Sequence, residues 1–199
     1  MLRDTDLAYE LARSAIDISA SNEFAEMLAL GQWVEAWVLS QRERTSEAMA
    51  RMAAALDLTE SVGSSPGQTW TRGTIAEELT ERGRIDEAVE ILCKIEAKAL
   101  ASSEYFAEAE TRRIRGEVER KRDPAQAEQR FREAIAIAGA RGTKLLELRA
   151  TTSLARLFDK QGRRDEARAM LAEIYNWFTE DLDTADLNDA RALLEELGR

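Results

Sequence analysis

The sequence predicts an all-α protein, an α-α solenoid of stacked helical hairpins, because of its composition and an internal repeat. The 199 residues are 44% hydrophobic and 33% charged but include only 2 Pro and 10 Gly, which leaves little material for the tight turns of a β-sandwich or barrel. Ala, Leu, Glu and Arg, which favour helices, are abundant. The length allows one or two domains, each with a substantial core.

Five short segments recur at a nearly constant spacing. Each ends in an alanine, and these alanines are 40, 40, 39 and 40 residues apart: Ala8, Ala48, Ala88, Ala127 and Ala167. From the second segment onwards, apolar residues follow the alanine four and seven positions later, which is one face of a helix, and an Asp or Thr before it predicts the N-cap. A second small residue lies 11 or 12 positions upstream: Ala36, Ala76, Gly116 and Ala155. Each repeat is therefore predicted to be a helical hairpin.

We expect a single repeat domain over residues 1–199. It consists of an orphan helix at 4–19, hairpins at about 22–60, 67–101, 103–140 and 143–179, and a capping helix at about 184–197. The orphan helix resembles the second helix of a repeat whose first helix is missing. This predicts either an excised fragment or a protein that self-associates through Leu7 and Leu11.

Residues in the last hairpin carry a resemblance to a known repeat family. Ala155, Phe158, Ala167, Leu171 and Ile174 have the relative spacings of the tetratricopeptide signature, so the chain resembles a tetratricopeptide-like array, which implies a right-handed α-α superhelix. The period of about 40 exceeds the usual value of about 34, and HEAT or armadillo repeats are the competing assignment. The tetratricopeptide assignment is preferred because the periodic Asp-Pro of HEAT helices is absent.

A narrower resemblance covers roughly residues 20–199 and includes the stretches 127–138, 147–157 and 175–187. They are similar to the C-terminal part of bacterial regulators in which a class III adenylate/guanylate cyclase-like or other effector domain and an ATPase module precede tetratricopeptide repeats. The resemblance implies a cytoplasmic signalling module that recognises a protein or peptide segment or a small effector. The sequence itself contains no phosphate-binding G-x-x-x-x-G-K-[ST] loop.

The composition argues against several kinds of chemistry. With no His and a single Cys, the chain lacks an imidazole base and the usual zinc ligands, so we expect no enzyme activity, no metal and no cofactor. The net charge of -10 disfavours nucleic acid. No apolar run approaches the roughly 20 residues that span a bilayer, so we expect no membrane contact.

In tetratricopeptide arrays the first helices line a concave groove, and this resemblance implies candidate binding residues. By position they are Trp33, Trp37, Trp70, Arg113, Glu117, Arg149 and Arg156. Indole rings beside arginines suit a peptide with apolar anchors and an acidic group, or a planar ligand that stacks on the rings. The alternative is that Trp33 and Trp37 fill the core.

These candidates lead to expected mutant effects and to a second function. Arg113→Ala and Trp70→Ala are expected to weaken partner binding while leaving the melting temperature nearly unchanged. The second function is a self-assembly module that dimerises through residues 4–19 and binds no ligand.

Overall fold

The structure is a computed structural model that describes residues 5–43, 46–61, 68–101, 106–179 and 184–199. Within these residues it contains ten α-helices and no β-strand, so the predicted all-α class is confirmed. In chain order the helices are α1 (Thr5–Ser21), α2 (Ala25–Glu43), α3 (Ser46–Ser61), α4 (Gln68–Glu81), α5 (Ile85–Ala101), α6 (Phe106–Glu119), α7 (Pro124–Ala140), α8 (Lys144–Lys160), α9 (Arg164–Tyr175) and α10 (Ala185–Leu197). The chain divides into two compact units, Met1–Ile75 and Ala76–Arg199, while a single repeat domain stays a prediction.

In the unit Met1–Ile75, α1 packs on α2 and α2 packs on α3. The residues that α1 buries are small: Ala8, Ala12 and Ser19. Gly31 of α2 allows a close approach, since a β-carbon added there would lie 3.0 Å from Ile16 Cγ1 and 3.3 Å from the carbonyl oxygen of Ala12. Small side chains on both helices therefore bring the two backbones close together.

In the unit Ala76–Arg199, α6 packs on α7, α7 on α8 and α8 on α9, and α10 packs on both α8 and α9. The apolar stripes that follow the repeated alanines are buried: Ala127, Phe131 and Ala134 of α7, and Ala167, Leu171 and Ile174 of α9. Gly116 of α6 lies directly against the ring of Phe131, where an added β-carbon would be 2.5 Å from Cε1. The small residues of the repeat thus mark the closest helix contacts, as the pattern predicts.

Three of the described helices, α4, α7 and α8, are followed by a glycine with a positive φ angle, which is 68° for Gly142 after α7. Gly83 follows α4 and Gly162 follows α8, with φ angles of 75° and 79° in the left-handed region that favours glycine. After each glycine the next amide returns to the helix, with Arg84 N donating to Leu79 O at 2.8 Å and Arg163 N donating to Phe158 O at 2.9 Å. Residues 83–88 and 162–167, with the similar sequences GRIDEA and GRRDEA, therefore follow the same kind of helix ending.

The predicted N-caps are correct for one helix and wrong for another. Asp123 caps α7, accepting hydrogen bonds from the amides of Ala125 and Gln126 at 3.0 and 3.2 Å. The N-cap of α9 is Arg163, which makes no side-chain capping bond, and Asp165 lies in the first turn instead. There its negative charge interacts favourably with the positive end of the helix dipole, which is a different role from capping the backbone amides.

Candidate binding surfaces

Five charged side chains form a continuous series across four helices of Ala76–Arg199, which we call the charge ladder. Its members are Glu77 of α4, Glu110 and Arg113 of α6, Arg149 of α8 and Asp186 of α10. Arg113 donates from Nε and Nη2 to the two oxygens of Glu110 at 3.0 and 2.9 Å, and from Nη2 to Glu77. Arg149 donates to Glu110 at 3.0 Å and to both oxygens of Asp186 at 3.0 and 2.7 Å. The ladder therefore connects helices across 36 to 39 residues of sequence.

Burial and mutual attraction fix the charges of the ladder. The side chains of Arg113 and Glu110 are only 8% and 9% exposed. Burial opposes ionisation of Glu110, but the guanidinium groups of Arg113 and Arg149 outweigh it and hold its pKa below the ordinary value. Burial raises the pKa of Glu77, and Arg113 opposes this only in part. Burial also disfavours the charge of Arg113, yet its two carboxylate neighbours raise its pKa well above the ordinary value. Both arginines are charged and already hold carboxylates of this chain.

The charged residues predicted to line the groove fall into two groups. Arg113 and Arg149 lie in the charge ladder, whereas Glu117 and Arg156 make other contacts. Glu117 accepts a hydrogen bond from Arg120 next to the end of α6 at 2.8 Å. Arg156 is exposed and pairs with a carboxylate of α10. The structure thus brings Arg113 and Arg149 together through a shared glutamate, and partner binding by any of the four stays a prediction.

The tryptophans predicted to line the groove belong to α2 and α4. Trp33 and Trp37 of α2 are buried, with 8% and 6% of their surface exposed. The indole Nε1 of Trp33 is buried and has no hydrogen-bond partner among the described residues. The side chain of Trp70 lies outside the described part of the chain. In this structure the two rings of α2 are therefore core residues, which agrees with the alternative that they fill the core.

Large apolar side chains are exposed mainly in the first thirty residues. Six of them are 45% to 59% exposed, and we call them the α1–α2 apolar surface: Leu7, Leu11, Ile18, Phe24, Met27 and Leu30. Elsewhere in the described residues, the only exposed large apolar side chains are those of Leu145 and Trp177. The sequence predicted Leu7 and Leu11 as contact residues but missed the other four. Which apolar residues of α1 and α2 stay exposed depends on how these helices pack, and Ala8 and Ala12 are the ones that are buried.

An open depression between α9 and α10 has mixed chemistry. It has a volume of about 830 Å³, and has acidic, basic and apolar walls: Asp165, Arg168, Ala169, Ala172, Arg191, Leu194, Glu195, Gly198 and Arg199. Within the residues that the structure describes, no three His, Cys, Asp or Glu side chains form a group that could hold a metal ion. None of the described helices combines the length and the apolar character needed to cross a bilayer.

Comparisons with known proteins identify the fold. No protein-family model matches the chain, and no curated protein matches it. Among solved structures, it is similar to a Podosopora anserina protein described as a kinesin light chain with nearly identical TPR-like repeats, where TPR is the tetratricopeptide repeat. A point-substituted form of that protein has 19% identity and a TM-score of 0.57, and the match covers 86% of this chain and 85% of that one. A second structure has 19% identity and a TM-score of 0.54, and the match covers 98% and 89%.

The fold is tetratricopeptide-like. The predicted fold class is confirmed, and the tetratricopeptide assignment is preferred over HEAT or armadillo repeats. At 19% identity the similarity concerns the fold of this tetratricopeptide-like chain and not its partners.

Proposed function

We propose that this tetratricopeptide-like chain is a non-catalytic protein-interaction module that contacts its partner through the α1–α2 apolar surface. One observation carries the proposal: six large apolar side chains, each about half exposed, lie within 24 residues of one another, from Leu7 to Leu30. Clusters of exposed apolar residues on a folded protein are typical of interaction sites, because covering them removes apolar area from water.

The charge ladder supports a non-catalytic role. Its carboxylates and guanidinium groups have shifted pKa values, which in an enzyme can mark an active site. Here each charge is matched by an opposite charge of the same chain at hydrogen-bond distance. The shifts therefore have a structural explanation, since the ladder joins α4, α6, α8 and α10.

The wider context is part of the same proposal. We infer from the resemblance to bacterial regulators that the module is the regulatory repeat region of a cytoplasmic signalling protein, and that its partner is a protein segment or a small effector. Co-purification of the chain with a cyclase-like or ATPase protein from its source cells would support this context.

Self-assembly is the alternative, and it uses the same surface. Leu7 and Leu11 are 51% and 59% exposed, so a second copy could cover them. In that case the chain would dimerise through α1 and need no other partner.

Site-specific cross-linking in the source cells separates these functions. A photo-reactive p-benzoylphenylalanine is introduced at Leu11, and the matched control carries it at Glu173, an exposed residue of α9. We expect a covalent adduct with another protein from position 11 and not from position 173. An adduct with the mass of two copies supports self-assembly. Equal adducts from both positions, or none from position 11, contradict the proposed function.

A further inference from the structure

We propose that the partner of the α1–α2 apolar surface is an amphipathic helix whose polar flanks are rich in Lys and Arg. This inference rests on the proposed function and specifies the chemistry of the partner. Its grounds are the geometry of the exposed apolar residues and the charge that surrounds them.

The exposed residues of α1 have the spacing of a helix-binding stripe. Leu7, Leu11 and Ile18 are four and seven positions apart, so they lie along one side of the helix over three turns, or about 16 Å. The exposed Phe24 lies close to the end of this helix, because its amide donates to Ser19 O at 3.0 Å and holds its backbone beside the last turn of α1. A partner helix of about three to four turns matches this length, with anchors three, four and seven residues apart.

The charged residues around the stripe have mainly one sign. Residues 5–30 contain five acidic side chains, Asp6, Glu10, Asp17, Glu23 and Glu26, against the single basic side chain of Arg13, which gives this segment a net charge of -4. Of these, Asp6 is paired with Arg42 of α2. The guanidinium of Arg13 is held by Glu35 of α2 at 3.2 Å. Glu10 and Asp17 are seven residues apart and exposed, so they follow one edge of the stripe. A partner with Lys or Arg beside its apolar stripe complements this edge.

The same charges disfavour a second copy as the occupant. In a two-fold symmetric dimer each surface contacts the identical surface of the other copy. Two surfaces that both carry the exposed carboxylates of Glu10 and Asp17 would then face each other, and repulsion between like charges opposes the contact. A basic amphipathic helix covers the apolar stripe and also places positive charge beside Glu10 and Asp17. A second copy of the chain covers the stripe but brings more negative charge.

Peptide binding tests this chemistry directly. The probes are a fluorescein-labelled 18-residue amphipathic peptide of Leu and Lys and its counterpart of Leu and Glu, and fluorescence anisotropy at fixed salt measures their affinity for the full chain. Two variants change the surface: Leu11→Ser/Ile18→Ser removes apolar contacts, and Glu10→Lys/Asp17→Lys reverses the acidic edge. The matched control is Asp165→Lys/Glu173→Lys, which makes the same change of net charge with two exposed residues of α9. Circular dichroism verifies that each variant is folded.

We expect the wild type to bind the Leu/Lys peptide and not the Leu/Glu peptide. Leu11→Ser/Ile18→Ser should weaken binding by about tenfold or more, because anchor residues dominate such contacts. Glu10→Lys/Asp17→Lys should shift the preference to the Leu/Glu peptide, whereas the control should stay within about twofold of the wild type.

Three results overturn the inference: no binding of the Leu/Lys peptide, equal weakening in the control, or unchanged binding by Leu11→Ser/Ile18→Ser. Sedimentation that shows a wild-type dimer dissociated by Leu11→Ser/Ile18→Ser identifies a second copy as the occupant instead. If position 11 still cross-links to another protein while the Leu/Lys peptide does not bind, the proposed function stands and only the chemistry of the partner is wrong.

Discussion

Arg113 neutralises carboxylates of two helices, and the structure changes the effect expected from its removal. Arg113→Ala leaves Glu110 and Glu77 without their nearest cation in a largely buried site. Removing one partner of a buried ion pair costs roughly 3–5 kcal/mol when the other charge is left uncompensated. Here Arg149 still pairs with Glu110 and the side chain of Glu77 is 33% exposed, so we expect a cost of about 3 kcal/mol or less. We therefore expect Arg113→Ala to lower the free energy of unfolding by that amount, measured by urea denaturation, instead of leaving the melting temperature nearly unchanged.

Arg120 provides the matched control at the end of the same helix. Like Arg113, it pairs with a glutamate three residues earlier, but its side chain is 21% exposed and Glu117 is its only carboxylate partner within the described residues. Arg120→Ala should cost about 1 kcal/mol or less. Equal losses for the two variants would show that Arg113 stabilises the chain no more than a partly exposed ion pair does.

The two arginines of the ladder show which properties of single residues can be predicted from the sequence and which cannot. Arg113 and Arg149 both lie on the first helix of a predicted hairpin, in α6 and α8, which is why both are predicted on one surface. Their partners are harder to predict, because Glu77 and Asp186 lie 36 and 37 residues away and are only two among 38 acidic residues. The spacing of 36 or 37 between Glu77, Arg113, Arg149 and Asp186 is the signal in the sequence that could have revealed the ladder.

The contact between α6 and α7 depends on the absence of a side chain at one position. A β-carbon at Gly116 would lie 2.5 and 2.7 Å from Cε1 and Cδ1 of Phe131, a fully buried ring. Gly116→Ala must therefore move the ring or the helix, at a cost of about 1–3 kcal/mol, which exceeds the gain of about 1 kcal/mol in helix propensity. We expect a lower urea midpoint than that of the wild type.

Gly139 of α7 is the corresponding control. There the nearest atoms to an added β-carbon belong to the carboxyl group of Glu147, at 3.7 Å, which is an ordinary contact. Gly139→Ala should therefore stabilise the chain by up to about 1 kcal/mol, because alanine loses less backbone entropy than glycine in a helix. A Gly116→Ala variant as stable as Gly139→Ala would mean that the ring of Phe131 can move freely, contrary to the packing seen here.

The helices themselves follow from the sequence better than their ends do. The repeated alanines predict the buried stripes because burial of a helix face has a fixed period. N-caps such as that of α9 are less predictable, since an acidic residue near a helix start can either cap the amides or interact with the helix dipole from the first turn. The exposure of the α1 stripe is hard to predict for a similar reason. The sequence pattern identifies the apolar residues of α1 but not which of them α2 covers.

Each of the two compact units of the molecule contains its own buried residues, so we expect the two units to unfold separately. In repeat proteins each element interacts mainly with its neighbours, and local unfolding follows such groups. Leu154 of α8 is fully buried within Ala76–Arg199, and Leu154→Ala should cost about 2–5 kcal/mol. Hydrogen exchange should then become faster in α6 to α10 and stay unchanged in α1 to α3.

Met52→Ala is the reciprocal variant, because Met52 of α3 is fully buried within Met1–Ile75. It should accelerate exchange in α1 to α3 and leave α6 to α10 as they are. Hydrogen exchange of both variants, followed by mass spectrometry at peptide resolution, distinguishes two separately unfolding units from one cooperative domain. If either variant accelerates exchange throughout the molecule by the same factor, the chain unfolds as one cooperative domain. The predicted single repeat domain would then describe its energetics better than the two units do.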